Sequence, residues 1–271
     1  MIEFSVSIIL PTINEGSNLS LLIPGTQNKL KDLKIENYEI LVVDDGSTDD
    51  TVEIIKQMNI EDDRIKIILR EDTPSLPMSI WDGIATSQKE YVAWLDADGS
   101  MTPDSLKSLI QVLQKNKEAV VIGSRFVSGG GYKGIKEIGR TSFLKAVNNV
   151  RKSKDSVTGM IVSMLFNKFL IYLFSSEVKD VTSGFIIGNK KYFTKDPFIR
   201  SSYGEYFLYL VNQLEKNKVK IIELGYICET RITGESKTAS SLTQLVQRGI
   251  PYIKAAIISR KERHEDLWWQ E

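Results

Sequence analysis

The apolar positions in the first part of the chain fall into short, nearly continuous runs separated by helix-length polar stretches. Val6–Leu10, Glu39–Val43, Ile65–Leu69, Tyr91–Leu95 and Ala119–Ile122 read as strands, because a sheet covered on both faces needs runs without a polar side. Between them, Gly16–Leu33, Asp49–Met58, Met78–Ser87 and Pro103–Lys115 read as helices, with Asp49 and Thr102 suited to N-cap positions and Pro103 to a first turn. This βαβα order predicts an α/β fold with a doubly wound, mostly parallel sheet and right-handed crossovers. Ligands of such a sheet collect beyond the carboxyl ends of its strands.

After Arg125 the pattern changes. Gly129-Gly130-Gly131 opens what reads as a flexible segment, and Arg140, Lys145, Arg151, Lys152 and Lys154 follow it. Then come an apolar helix over Met160–Phe174, a strand over Phe185–Gly188, a helix near Glu205–Lys216, and strands near Lys220–Leu224 and Ile227–Arg231. Ser163, Asn167 and Lys168 interrupt the apolar stretch Val157–Phe174, which reads as a buried or interfacial helix rather than a membrane span. From Ser236 to Lys261 there is no acid, while Lys237, Arg248, Lys254, Arg260 and Lys261 alternate with Leu242, Leu245, Val246, Ile250, Ile253, Ile257 and Ile258. Such a basic amphipathic segment suits peripheral contact with an anionic membrane, or a helix packed on the domain with a solvated basic face. The chain is therefore divided into a catalytic-type domain, 1–240, and a basic amphipathic helical segment, 241–271.

Composition adds little. The 271 residues are 42% hydrophobic and 26% charged, enough for one sizeable core. Lysine plus arginine and aspartate plus glutamate are equal at 35 each, so the overall balance says nothing about partners; no nucleic-acid partner is expected. Cys228 is the only cysteine, which excludes an intramolecular disulfide and points to a reducing compartment. The start, Met1 to Ser5, lacks a signal-peptide pattern, so a cytoplasmic location is expected, at the membrane face if the basic segment binds lipid. His264, the only histidine, lies in a charged tail, which argues against histidine-based catalysis. Trp268-Trp269 suit either an interfacial anchor or ordinary packing. Oligomeric state is not legible.

Two strand ends carry acids. Tyr91–Leu95 runs into Asp96-Ala97-Asp98-Gly99, and Ile40–Val43 into Asp44-Asp45-Gly46-Ser47. Alternate residues of an extended chain point to opposite sides, so Asp96 and Asp98 converge only through a bend, which Gly99 permits. Paired carboxylates at a cleft suit a hard divalent cation, Mg²⁺ or Mn²⁺, and such a cation suits a diphosphate. Pro11-Thr12-Ile13-Asn14-Glu15, at the end of the first strand, offers backbone groups and a carboxylate to a base or ribose; capping of the next helix by Asn14 is the alternative role. Arg125, closing the fifth strand, suits a phosphate, a surface ion pair being the alternative role. Arg231 with Gly234-Glu235-Ser236-Lys237 suits a mobile clamp on a second anionic oxygen.

Leu10–Glu15, Val43–Ser47, Asp96–Asp98, Gly123-Ser124-Arg125-Phe126, Thr182-Ser183-Gly184-Phe185 and Gly234–Lys237 occur in an order that resembles glycosyltransferase family 2, and within it the polyprenyl-phosphate (dolichol-phosphate) mannosyl- or glucosyltransferases. The resemblance covers residues 5 to about 240 and implies a GT-A fold, Rossmann-like, with C-terminal amphipathic helices. It implies that Pro11, Thr12, Glu15 and Asp45 hold the nucleoside, that Asp96 and Asp98 hold the diphosphate through Mg²⁺ or Mn²⁺, and that Arg125, Arg231, Ser236 and Lys237 bind donor and acceptor phosphates. Asp98, Arg125, Arg231, Ser236 and Lys237 then form the catalytic set. The implied reaction is inverting transfer of a hexose from a nucleotide sugar of GDP-mannose or UDP-glucose type to a polyprenyl phosphate.

The chain departs from that pattern in places. Thr73-Pro74-Ser75-Leu76-Pro77 replaces a Gly-Leu-Gly segment, Ile13 a tyrosine and Ile186 an arginine. Ser163-Met164-Leu165-Phe166-Asn167 lacks an arginine common on that helix, for which Arg140 or Arg151 would have to substitute. The family's transmembrane extensions are not seen, so membrane contact is expected to be peripheral. Three other readings remain: a related enzyme with a soluble or glycan acceptor, a non-catalytic nucleotide-sugar binder, and a nucleotidyltransferase. The last would call for a glycine-rich, arginine-bearing loop after the first strand, where Pro11–Glu15 stands.

Overall fold

The computed structural model describes residues 4–132, 157–229 and 242–265. Strands β1 (Val6–Thr12), β2 (Tyr38–Asp44), β3 (Ile65–Leu69), β4 (Tyr91–Trp94) and β5 (Ala119–Ser124) alternate with helices α1 (Gly16–Asp32), α2 (Thr51–Glu61), α3 (Leu76–Thr86) and α4 (Pro103–Lys115). Thr102 caps α4, its side chain accepting from the Ser105 amide, as expected. The second half adds β6 (Gly131–Tyr132), α5 (Val157–Phe174), β7 (Ile186–Asn189), α6 (Asp196–Ile199), α7 (Tyr206–Lys216), β8 (Lys220–Gly225), β9 (Ile227–Cys228) and α8 (Leu242–Glu265).

The main sheet has the order β3-β2-β1-β4-β7-β5-β8. All its pairings are parallel except those of β7, which lies antiparallel between β4 and β5. The starting end of β7 therefore shares an edge with the finishing ends of the other strands. β6 and β9 form a separate parallel pair at that edge.

Strand alternation sorts the core into two layers. Ile8, Leu10, Ile40 and Val42 pack under α1 and α4 with Leu19, Ile23 and Leu109. Ile9, Leu41, Val43, Val92 and Trp94 face the other way, onto Ile80 and Ile84 of α3 and Phe174, Phe207 and Leu210 of α5 and α7. α8 closes this second layer against α5 and α7, burying Ala255, Ala256 and Ser259. The packing expectation for the C-terminal segment thus holds for the inner face of α8. Among the described residues no helix is long and apolar enough to cross a membrane.

Three local expectations change. Asp50 rather than Asp49 takes the N-cap position of α2. Gly129-Gly130-Gly131 begins as a tight backbone crossing rather than a flexible opening. A Cβ on Gly130 would meet the Ser124 carbonyl at 2.4 Å, and one on Gly225 would meet the Ser128 carbonyl at 2.3 Å. Asn14 does not cap α1: it sits at φ 55° and Glu15 occupies the cap position without a side-chain bond.

Below the opposite edge of the sheet, Glu39 is buried and accepts from Ser7 Oγ at 2.7 Å, the Gln88 amide at 2.6 Å and Lys66 Nζ at 2.9 Å. Burial alone would raise its pKa, but these donors outweigh it and hold the carboxyl below the usual glutamate value. The stability it contributes is present above the unfolded-state pKa and is lost as pH falls through the lower folded value. Urea unfolding followed against pH should show Glu39→Gln less stable than the parent at neutral pH, with the difference shrinking in acid.

Candidate active site

The ends of β1, β2 and β3 build a polar corner. Asp44 turns back to accept the Gly46 and Ser47 amides at 3.2 and 3.0 Å, which closes the loop after β2. Gly46, at φ +89°, makes that turn possible without strain. Asn14 bridges the first two loops: its amide donates to Ser47 Oγ at 2.8 Å and its Oδ1 accepts from the Thr48 amide at 2.7 Å. Its left-handed backbone serves this bridge rather than a helix cap. Glu15 accepts from Asn18 Nδ2 at 2.5 Å, and its amide donates to Thr51 Oγ1 at 3.1 Å. Pro11 and Thr12 are buried in β1, with Thr12 Oγ1 donating to the Leu10 carbonyl.

Asp45 is 7% exposed and held from two sides. Arg70, the residue after β3, donates to one carboxylate oxygen, and the Ser75 amide donates to the other at 2.5 Å. Arg70 is fixed in turn by Asp82 of α3, which accepts from its Nε at 2.7 Å. The Arg70 side chain is 4% exposed and Asp82 is 34% exposed, so the Arg70–Asp45 pair is shielded from water while Asp82 stays partly solvated.

The end of β4 carries the paired acids. Asp96 is exposed, whereas Asp98 is buried and accepts the Ser100 amide at 2.9 Å. Gly99 adopts φ +78°, the bend the pattern requires. The Glu229 amide donates to the Ser100 carbonyl at 2.9 Å, which brings the end of β9 against this loop. Burial pushes the nearby Cys228 thiol up to about 11; Arg125 opposes this and Asp98 and Asp96 add to it. The thiol is protonated at neutral pH and no nucleophile.

The donor set fits a hard cation: two carboxylates on one bend, one solvated and one fixed. Among the described residues no cluster of three or more histidine, cysteine, aspartate or glutamate side chains is gathered. An ion there would take its remaining ligands from a diphosphate and water.

Arg125 closes the opposite side. Its Nε and Nη2 donate to the two oxygens of Asp180 at 2.8 Å each, and its own amide donates to Asp180 Oδ2 at 2.9 Å. Nη2 also reaches Thr182 Oγ1 at 2.8 Å. The guanidinium lies over the rings of Phe126 and Tyr132, at 5.2 and 5.6 Å. Asp180 is fully buried, so the residue expected to hold a phosphate is committed first to an internal ion pair. Asn167 of α5 completes the loop, donating to the Lys179 carbonyl at 2.7 Å and accepting the Val181 amide at 3.1 Å.

The family model described as glycosyl transferase family 2 matches residues 7–195, a span from β1 to the loop after β7. The chain belongs to glycosyltransferase family 2. Similar curated relatives include the dolichol-phosphate mannosyltransferase of Pyrococcus furiosus, 33% identical over 165 residues, covering 57% of this chain and 44% of that protein. The poly(ribitol-phosphate) beta-N-acetylglucosaminyltransferase TarP of Staphylococcus aureus is 28% identical over 221 residues, 78% of this chain and 64% of its own. The matches thus span roughly two fifths to two thirds of the length of these curated relatives. Among solved structures, glucosyl-3-phosphoglycerate synthase from Mycobacterium tuberculosis with Mn²⁺ and uridine-diphosphate-glucose superposes with a TM-score of 0.62 at 15% identity, covering 95% of this chain and 79% of that one. That likeness establishes the GT-A fold.

Within this family fold, Pro11, Thr12, Glu15, Asp45, Asp96, Asp98 and Arg125 all lie at the carboxyl edge of one sheet. Arg231, Ser236 and Lys237 lie outside the described residues, as do Arg140 and Arg151. Sequence reading missed Arg70, although a cation ending the edge strand next to the acid-ended β2 is a usable signal. It also missed that Asp180 would consume Arg125, which only the antiparallel insertion of β7 brings about. Asp180→Ala would leave the Arg125 charge buried and unpaired. The expected loss is about 3–5 kcal/mol by chemical denaturation, partly recovered in the double variant Arg125→Met/Asp180→Leu.

Proposed function

We propose that this family 2 glycosyltransferase is a divalent-metal-dependent, inverting hexosyltransferase that moves a sugar from a nucleoside diphosphate sugar to a polyprenyl phosphate. The observation that carries this reading is the placement of the braced Asp45 and the Asp96–Asp98 bend on one sheet edge, beside the Arg125–Thr182 loop. Asp45, with both oxygens already oriented by Arg70 and the Ser75 amide, offers fixed acceptors to a base N–H. Pro11, Thr12 and Glu15 wall the nucleoside. Asp96 and Asp98 would hold Mg²⁺ or Mn²⁺, which when bound neutralises the diphosphate as a leaving group.

The acceptor enters from the side of Arg125, Thr182 and Tyr132. An oxygen of its phosphate attacks the anomeric carbon from the face opposite the diphosphate. The new C–O bond forms as the old one breaks, and the nucleoside diphosphate leaves with the electron pair. A phosphate monoester is anionic near neutral pH, so the step needs no general base, in keeping with a chain whose single histidine is His264. Arg231, Ser236 and Lys237 are assigned to hold the acceptor phosphate and the departing diphosphate. Similarity to the dolichol-phosphate mannosyltransferase supports this acceptor class.

The test is transfer by purified protein with Mn²⁺, GDP-mannose or UDP-glucose, and a short polyprenyl phosphate. Sugar on the lipid, lost on adding chelator, is the expected result. Transfer only to small soluble phosphate acceptors would overturn the lipid assignment. Asp98→Ala should lower transfer by about 10²-fold or more with an unchanged circular dichroism spectrum; full activity would remove the metal role. Lys237→Ala should raise KM for the lipid phosphate more than for the donor, whereas equal loss would argue against an acceptor clamp.

A further inference from the structure

The outer faces of α5 and α8 carry large apolar side chains that the described residues leave half-exposed or more open. On α5, Leu165, Phe169 and Tyr172 are 57%, 46% and 77% exposed. On α8, Ile250 and Ile257 are 44% and 43% exposed. Positions 165, 169 and 172 share one helical face, as do 250, 254, 257 and 261. The rest of the surface scatters its exposed hydrophobics singly, which needs no explanation; here two stripes meet.

They meet because the helices lie side by side in the same direction. The Phe166 ring packs edge-on against Tyr252 at 5.9 Å, and, further along both helices, Arg263 Nη2 donates to the Phe174 carbonyl at 2.5 Å. Helical geometry then sets Phe169 on one outer flank of the seam, and Ile253 and Ile257 on the other. Exposed Lys168, Lys254, Arg260 and Lys261 surround this ridge. Neither 157–174 nor 242–261 contains an aspartate or glutamate. The first acid on α8, Glu262, turns away to Arg200 at 2.6 Å and Asn212 at 3.0 Å.

We propose that this two-helix face docks on an anionic lipid bilayer. The aliphatic and aromatic ridge enters the headgroup boundary while the lysines stay at the charged surface. A second copy of the chain fits less well: a self-complementary contact would set lysines against lysines with no carboxylate to pair them. The face also has a fixed relation to the cleft. Ser163 of α5 lies 3.3 Å from the Tyr132 hydroxyl, and Tyr132 stacks on Arg125. A bilayer on this face therefore adjoins the Arg125 side of the site and leaves the Asp45 corner in water.

The test is co-sedimentation of the full chain with vesicles of mixed phosphatidylglycerol and phosphatidylcholine, against phosphatidylcholine alone. Binding to the mixed vesicles is expected, weakened by salt. Phe169→Ser/Ile257→Ser should lower it by about tenfold or more, with a cooperative unfolding transition retained, and Lys254→Gln and Lys261→Gln by about fivefold each, with thermal unfolding unchanged because these lysines are exposed. Failure to bind, or equal binding to neutral vesicles, overturns the proposal. So does self-association that the Phe169→Ser/Ile257→Ser variant abolishes without any vesicle binding. Vesicle binding without transfer to a polyprenyl phosphate would uphold this surface and remove the lipid acceptor; transfer in solution without vesicle binding would do the reverse.

Discussion

The ion pair between Arg125 and Asp180 is the contact on which the second half of the molecule depends. Asp180 is fully buried and accepts three donors from Arg125, two on the guanidinium and one on its backbone. A charge pair so placed is tolerable only because each oxygen has a donor in good geometry. Its position fixes the loop that feeds β7 into the sheet. Ser183 then bonds to the Gly123 carbonyl, and the Gly123 amide to the Phe185 carbonyl. Gly123 itself is required there, since a Cβ would meet the Phe185 ring at 2.5 Å. Through this one pair, β5, the Thr182 loop and the bottom of α5 become a single rigid wall of the cleft.

The opposite wall is built on the same principle. Asp82 holds Arg70, and Arg70 holds Asp45. Each wall thus presents a group whose orientation is set by a second charge behind it, so little reorganisation is left to binding. Between them, the Asp96–Asp98 bend combines an exposed carboxylate and a buried one. The divalent-cation site proposed here would need this mix: enough exposure to exchange ligands, enough support to hold a fixed geometry. The aromatic layer beneath is correspondingly tight, with Trp94 Nε1 donating to the Tyr206 hydroxyl at 3.0 Å and packing against Phe193 and Phe198.

α8 shows how one helix serves two environments. Its small inner residues, Ala255, Ala256 and Ser259, let it lie close on the second core layer. Its outer residues are isoleucines and lysines. Packing and interfacial readings of this segment therefore describe different faces of the same helix. The basic apolar surface exists only because α5, some eighty residues earlier in the chain, lays its own exposed stripe beside it.

The first half of the fold was legible in the sequence because a strand buried on both faces must be apolar throughout, and those runs are short and sharply ended. The same logic located the acids at the ends of β2 and β4, since polar groups at a strand end mark where the core stops. Less was legible where long-range contacts decide the outcome. The antiparallel placement of β7 has no local signal; so short a strand, Ile186-Ile187-Gly188-Asn189, fits either direction. Asn14 reads as a cap by composition, yet it is consumed bridging to Thr48, a contact made by the pairing of β1 with β2. The glycine run reads as flexible, yet Gly130 and Gly225 are small because two backbones cross there. Arg125 reads as a phosphate ligand, yet its first partner is a carboxylate that sheet insertion delivers from 55 residues away. Periodicity and strand-end chemistry are properties of neighbours along the chain, so the sequence by itself determined the elements and the edge that bears the site. Which charges brace which, and which helix faces meet, depend on residues brought together only by folding, and the tertiary structure decided them.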